Sequence, residues 1–122
     1  MPKRVFIVED SPALRQRICD DVALMKGLKV VGSAETQDEA IAAIARLRPD
    51  IVITDLNLRA GTGLEVLRRT ADGGCSSRPH IVVLTNFAYP EYKRHCLNSG
   101  AHAFFDKSSE YGEFLRSLGN LS

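Results

Sequence analysis

A chain of 122 residues with 44% hydrophobic and 25% charged residues can bury about two-thirds of its unfolded surface, enough for one domain that needs neither disulfides nor a structural metal. With 16 Lys and Arg against 15 Asp and Glu, the net charge of +1 excludes a self-repelling disordered chain and a protein that coats nucleic acid through a global positive field. The length also leaves no room for a catalytic domain joined to a separate effector domain.

The N-terminal segment MPKRVFIVED contains the apolar run Val5 to Val8, too short for a signal-peptide core or a membrane span, so the chain reads as cytoplasmic with no membrane contact. That run is the first of five. The others are Leu28 to Val31, Ile51 to Ile53, Ile81 to Leu84 and Ala101 to Phe105. Most are rich in Val and Ile without polar alternation, which predicts strands buried on both faces of a parallel sheet.

Amphipathic stretches separate the runs. The first helix begins at Ser11-Pro12, a cap residue followed by Pro at the first helical position, carries the stripe Leu14, Ile18, Val22 and Met25, and ends at Gly27. The second opens with the capping box Thr36-Gln37-Asp38-Glu39, continues through Ala40, Ile41, Ile44 and Leu47, and stops at Pro49. The third runs roughly from Gly63 to Asp72, with Leu64, Leu67 and Ala71 facing the core and Val66 beside them. Gly73 to Ser77 then forms a loop inside the repeat. The fourth helix, Pro90 to Ser99, ends at Gly100, and the fifth, Ser109 to Leu118, ends at Gly119.

Five strand–helix units imply a doubly wound α/β fold, because parallel strands need crossover helices that cover both faces of the sheet. Ligands in such folds bind at the C-terminal ends of the strands. At those ends stand Glu9 and Asp10 after the first strand, Asp55 after the third, Thr85 after the fourth and Lys107 after the fifth. Converging carboxylates repel one another unless they share a cation, and oxygen-only ligation suits Mg²⁺. A metal, one ammonium and one hydroxyl can stabilise the oxygens of a transferring phosphoryl group. No Cys or Ser–His pair sits at these ends, so the nucleophile is a carboxylate, Asp55, which would form a labile acyl phosphate suited to a transient signal.

Taken together in order, VFIVEDSPALR, PDIVITDLNL, IVVLTN and GAHAFFDK resemble the motifs of the receiver domains of two-component response regulators, the stand-alone chemotaxis regulator among them. The resemblance covers essentially the whole chain, residues 1–122 as one receiver domain, and implies a five-stranded flavodoxin-like sheet of order 2-1-3-4-5. It implies that Asp55 is the phosphoacceptor and that Asp10 and Asp55 ligate Mg²⁺, with Mn²⁺ as a substitute. Glu9 would act through water, and the backbone carbonyl of Asn57 would complete the set. Thr85 would move to meet the phosphoryl group, Lys107 would pair with another of its oxygens, and Phe104 matches the family's switching aromatic. The implied partners are a histidine kinase or histidine phosphotransfer protein upstream, and a protein target or a second copy downstream. The protein would be a signal relay that catalyses its own phosphorylation and dephosphorylation, and not a turnover enzyme.

Four positions depart from the family pattern: Asn86 replaces a small residue after the hydroxyl, Ser108 replaces the Pro after the lysine, Phe104 replaces Tyr, and the acidic pair is Glu-Asp. Phe87, Tyr89, Tyr92, Phe104, Phe105, Tyr111 and Phe114 crowd the last third of the chain. In the family, partners bind the face made by the fourth helix, fifth strand and fifth helix, where Tyr92 and Tyr111 are the candidates here.

Arg46, Arg48, Arg59, Arg68, Arg69, Lys93 and Arg94 are scattered, which reads as solvated faces and no direct nucleic-acid contact. His80, His95 and His102 show no spacing for metal or catalysis. Cys19, Cys75 and Cys96 form no metal motif and read as reduced thiols, with Cys75 the most exposed.

A phosphatase of the haloacid dehalogenase type would use the same nucleophile but needs a second Asp two residues later, where Asn57 stands. A nucleotide or flavin site needs a glycine-rich first turn, and this one is Glu-Asp-Ser-Pro. A phosphorylation-independent interaction module is the remaining alternative. The fifth helix leaves only a few residues behind it, too few for an output domain in this chain.

Overall fold

A computed structural model of the chain describes residues 2–71 and 78–122. The five apolar runs form β1 (Lys3–Val8), β2 (Leu28–Ala34), β3 (Ile51–Thr54), β4 (His80–Thr85) and β5 (Ala103–Asp106). Helices α1 (Pro12–Ala23), α2 (Gln37–Leu47), α3 (Gly63–Ala71), α4 (Pro90–Asn98) and α5 (Tyr111–Leu121) alternate with them. All neighbouring strands are parallel, in the order β2-β1-β3-β4-β5.

The core is divided by the sheet. On one face Phe6, Val8, Val52, Val83 and Phe104 pack against α2, α3 and α4 through Ala40, Ile44, Val66, Leu67 and Cys96. On the other, Val5, Ile7, Ile53, Val82 and Leu84 pack against α1 and α5 through Ile18, Val22, Phe114 and Leu118. Alternation within a run therefore chooses which helices a residue meets and not whether it is buried, which is why β3 is buried at all four positions.

The helix starts follow their caps. Ser11 Oγ accepts the Leu14 N–H at 3.3 Å, and Thr36 Oγ1 accepts the Glu39 N–H at 3.3 Å while donating to Glu39 Oε1 at 2.9 Å. The ends depart from the glycine signals. Helix α1 stops at Ala23, and Gly27 (φ +88°) lies beyond it in the turn whose carbonyl accepts the Lys3 N–H at 2.8 Å. Helix α5 begins at Tyr111 and runs through Gly119 to Leu121, because Gly119 keeps an ordinary helical φ. Gly100 (φ +117°) does follow the end of α4.

In α3 the buried set is Gly63, Val66, Leu67 and Ala71, so Val66 belongs to the core and Leu64 moves to its margin. The expected Asp72 end of that helix, the Gly73–Ser77 loop and Cys75 lie outside the described residues. Cys96 is buried and Cys19 is half-buried.

Candidate functional site

Register assembles the site. Val8 pairs with Thr54, and Thr85 with Asp106, so the residues that follow these strands emerge at one end of the sheet. Backbone bonds fix the emergence: the Asp55 N–H donates to the Val8 carbonyl at 3.1 Å, and the Lys107 N–H to the Thr85 carbonyl at 3.0 Å. Glu9, Asp10 and Asp55 each place a carboxylate oxygen within 4.8 Å of the others. Lys107 closes the group, its Nζ lying 2.6 Å from Asp55 Oδ2 and 2.8 Å from Glu9 Oε1.

Asp55 is only 5% exposed, yet both of its carboxylate oxygens are held. Oδ1 accepts the Leu56 N–H at 2.7 Å and the Asn57 N–H at 3.4 Å, while Oδ2 takes the Lys107 ammonium. Bonds of this kind satisfy the oxygens of a buried carboxyl group and offset the cost of taking it out of water. Burial pushes the Glu9 carboxyl above its ordinary range, and bonds from Lys107 and the Ser11 N–H offset only part of that. Burial opposes the Lys107 ammonium too, but its bonds to Asp55 and Glu9 prevail and hold its pKa above the ordinary lysine value. Three carboxyl groups gathered around one ammonium offer oxygen ligands only, a donor set that fits a hard divalent cation.

Thr85 is fully buried, and its Oγ1 accepts the Phe87 N–H at 3.1 Å, so the hydroxyl is tied to the start of the β4–α4 loop. Asn86 is exposed. After Lys107, where the family pattern has Pro, Ser108 shapes the turn by donating its N–H (2.8 Å) and its hydroxyl (2.7 Å) to Asp106 Oδ1. The same two bonds hold the Asp106 carboxyl below its ordinary range. Phe104 is buried among Val83, Cys96 and Ala101, facing α4.

Sequence reasoning missed two supports. A Cβ at Gly63 would lie 1.6 Å from the Asp55 carbonyl oxygen, so only glycine lets α3 start this close to the end of β3, and the Gly63 N–H closes the loop on the Leu56 carbonyl at 2.9 Å. Gln37, the first residue of α2, clamps the same loop: its N–H donates to the Ala60 carbonyl at 2.9 Å and its Oε1 accepts the Thr62 N–H at 3.0 Å. Only a glycine at a predicted helix start hinted at the first. Nothing local in the sequence pointed to the second.

The two partner-surface candidates separate. Tyr92 is 46% exposed on α4. Tyr111 is a correction: it is buried, its hydroxyl donates to Asp21 Oδ2 at 2.6 Å, and the Arg17 guanidinium lies 3.9 Å from its ring centroid. It fastens α5 to α1 and offers little surface to a partner. The histidines also group unexpectedly: His80 and His102 stack with centroids 4.4 Å apart, and His102 Nδ1 accepts the Ile81 N–H at 3.0 Å. They lie at the start of β4 and just before β5, at the end of the sheet away from the carboxylates.

Among the described residues no helix is long and apolar enough to cross a membrane. The family model of the response regulator receiver domain matches residues 5–118. The transcriptional regulatory protein YvfU of Bacillus subtilis (strain 168) is 34% identical over 115 residues, covering 94% of this chain and 56% of its own. DesR, a transcriptional regulatory protein of the same organism, is 30% identical over 114 residues, with coverage of 93% and 55%. The chain therefore spans about half the length of the curated relatives it matches. Among solved structures, a LuxR-family two-component response regulator from Aurantimonas sp. SI85-9A1 superposes with a TM-score of 0.86 at 26% identity, covering 99% of this chain and 85% of that one.

Proposed function

The chain belongs to the response regulator receiver domain family, and on that premise we propose that residues 1–122 act as a phosphoacceptor switch with Asp55 as the acceptor. The observation that carries this reading is the Asp55 carboxylate itself: buried, held at both oxygens, and flanked by two further carboxylates and an ammonium. Asp55 attacks the phosphorus of a phosphohistidine; an O–P bond forms, the P–N bond breaks, and the imidazole leaves with the electron pair. Lys107 stays beside the acceptor oxygen and meets the incoming phosphoryl charge, and the Leu56 and Asn57 N–H groups keep the carboxylate oriented. Thr85 exchanges its bond with the Phe87 N–H for one to the phosphoryl group, and Phe104 repacks in response.

Asp10, Asp55 and the Asn57 carbonyl, with Glu9 acting through water, would hold Mg²⁺, which when bound neutralises charge on the phosphoryl oxygens. The upstream partner is a histidine kinase or phosphotransfer protein, the downstream one a protein target or a second copy, and the setting is the cytoplasm. Self-catalysed phosphorylation and dephosphorylation belong to the same proposal. Incubation with a small phosphodonor and Mg²⁺ followed by intact-mass and peptide analysis tests it. One phosphoryl group on Asp55, lost on chelation of the metal and in Asp55→Asn, is the expected result. Undiminished labelling of Asp55→Asn overturns it.

A further inference from the structure

Between α3 and α4 lies a groove of ≈ 310 Å³ with a mainly apolar lining that includes Leu56, Leu64, Phe87, Tyr92 and Cys96. Its size is at the lower end of the range for small-molecule sites, and its makeup, apolar walls with few polar groups, is theirs as well. Phe87 and Tyr92 are 40% and 46% exposed, so the rings bordering it are only partly covered by the chain itself.

An arginine stands beside His95, which lines the groove. Arg68 of α3 reaches across to His95 of α4, with 3.0 Å between a guanidinium nitrogen and Nε2. A guanidinium can only donate, so the imidazole accepts through Nε2, and the remaining N–H groups of Arg68 keep the planar fork that suits a carboxylate. Helices α3 and α4 together carry Arg68, Arg69, Lys93 and Arg94 against Glu65 and Glu91, a surplus of two positive charges in a chain whose net charge is +1. Of these, Arg68 meets a residue that lines the groove, His95.

We propose that the groove binds a small monocarboxylate with an aromatic or branched apolar body, its carboxylate on Arg68 and its body between Leu64 and Tyr92. Three lining residues tie it to the switch. The Leu56 and Asn57 N–H groups hold Asp55 Oδ1, and the Phe87 N–H holds Thr85 Oγ1. Changing what Asp55 and Thr85 bind re-aims those N–H groups and reshapes the groove. By linkage, a ligand that prefers one shape shifts the phosphorylation equilibrium by the ratio of its two affinities. This coupling rests on the phosphoacceptor reading; the binding does not.

The test titrates the ¹⁵N-labelled protein with 1-naphthoate and with neutral 1-naphthamide, following backbone amide shifts. Saturable shifts at Leu56, Leu64, Phe87 and Tyr92 are expected, with naphthoate about fivefold tighter, the worth of one exposed charge-assisted contact. Arg68→Gln, at an exposed position, should abolish that preference and leave naphthamide binding intact. Absence of saturable shifts in the groove, or an undiminished preference in Arg68→Gln, overturns the site. Repeating the titration with Mg²⁺ and a beryllofluoride phosphoryl mimic should change the naphthoate affinity about fivefold, within the usual range of allosteric coupling. Equal affinities overturn the coupling. Groove binding in a protein that takes no phosphoryl group overturns only the phosphoacceptor reading.

Discussion

Helices α4 and α5 follow neighbouring strands and are attached to the sheet in different ways. Helix α4, PEYKRHCLN, buries Cys96 alone and leaves Tyr92 and Leu97 46% and 41% exposed. Helix α5, YGEFLRSLGNL, buries Tyr111, Phe114 and Leu118 and adds the Tyr111 bond to Asp21 and the Arg17 contact with its ring. The strand that precedes Lys107 therefore leads into a firmly anchored helix, and the strand carrying Thr85 into a lightly held one. Elements that move are drawn from the less stable parts of a fold, so the segment after β4 should open more readily than the one after β5. Amide exchange should follow the same division, slow in α5 and fast in α4.

The sharpest way to break this contrast is in α5. Phe114→Ala empties a fully buried site and should cost about 3–5 kcal/mol, measured by urea unfolding. Tyr111→Phe removes the bond to Asp21 and should cost about 1.5–3 kcal/mol. Burial and the Asp21 bond raise the Tyr111 pKa above its ordinary value of 10.0. Its contribution is therefore complete below that pH and fades above it, as the unfolded chain ionises first. The gap between wild type and Tyr111→Phe should narrow as the pH rises past 10.0; a constant gap breaks the assignment.

On α4 the effects should shrink. Cys96→Ser places a hydroxyl in an apolar site and should cost about 1–3 kcal/mol, while Tyr92→Ala should stay within about 0.5 kcal/mol. Burial and the neighbouring His102 lower the His80 pKa below 6.5, so its contribution is present above that value and is lost as pH falls through the lowered folded value. His80→Gln should flatten the acid side of the stability curve, and an unchanged slope would show that the stacked pair does not matter.

Strand positions were legible because both-face burial removes polar alternation, and the cap residues Ser11 and Thr36 marked two helix starts. Helix ends were less legible. Gly119 reads as a stop, but the packing of Phe114 and Leu118 carries α5 past it, and Gly27 serves the turn into β2 instead of ending α1. In α3 the pattern of Leu64, Val66 and Leu67 fits two rotations, and contact with the sheet chose Val66.

The sequence by itself determined the fold class and that Glu9, Asp10, Asp55, Thr85 and Lys107 stand at or just after the C-terminal ends of strands, because strand periodicity is a local property. Only the tertiary structure decided that Tyr111 faces α1, that His80 stacks on His102, that Gly63 must lack a side chain and that Gln37 holds the loop after Asp55. Each of these depends on which residue meets which across the chain. Contacts at long sequence separation leave no periodic trace in the residues that make them.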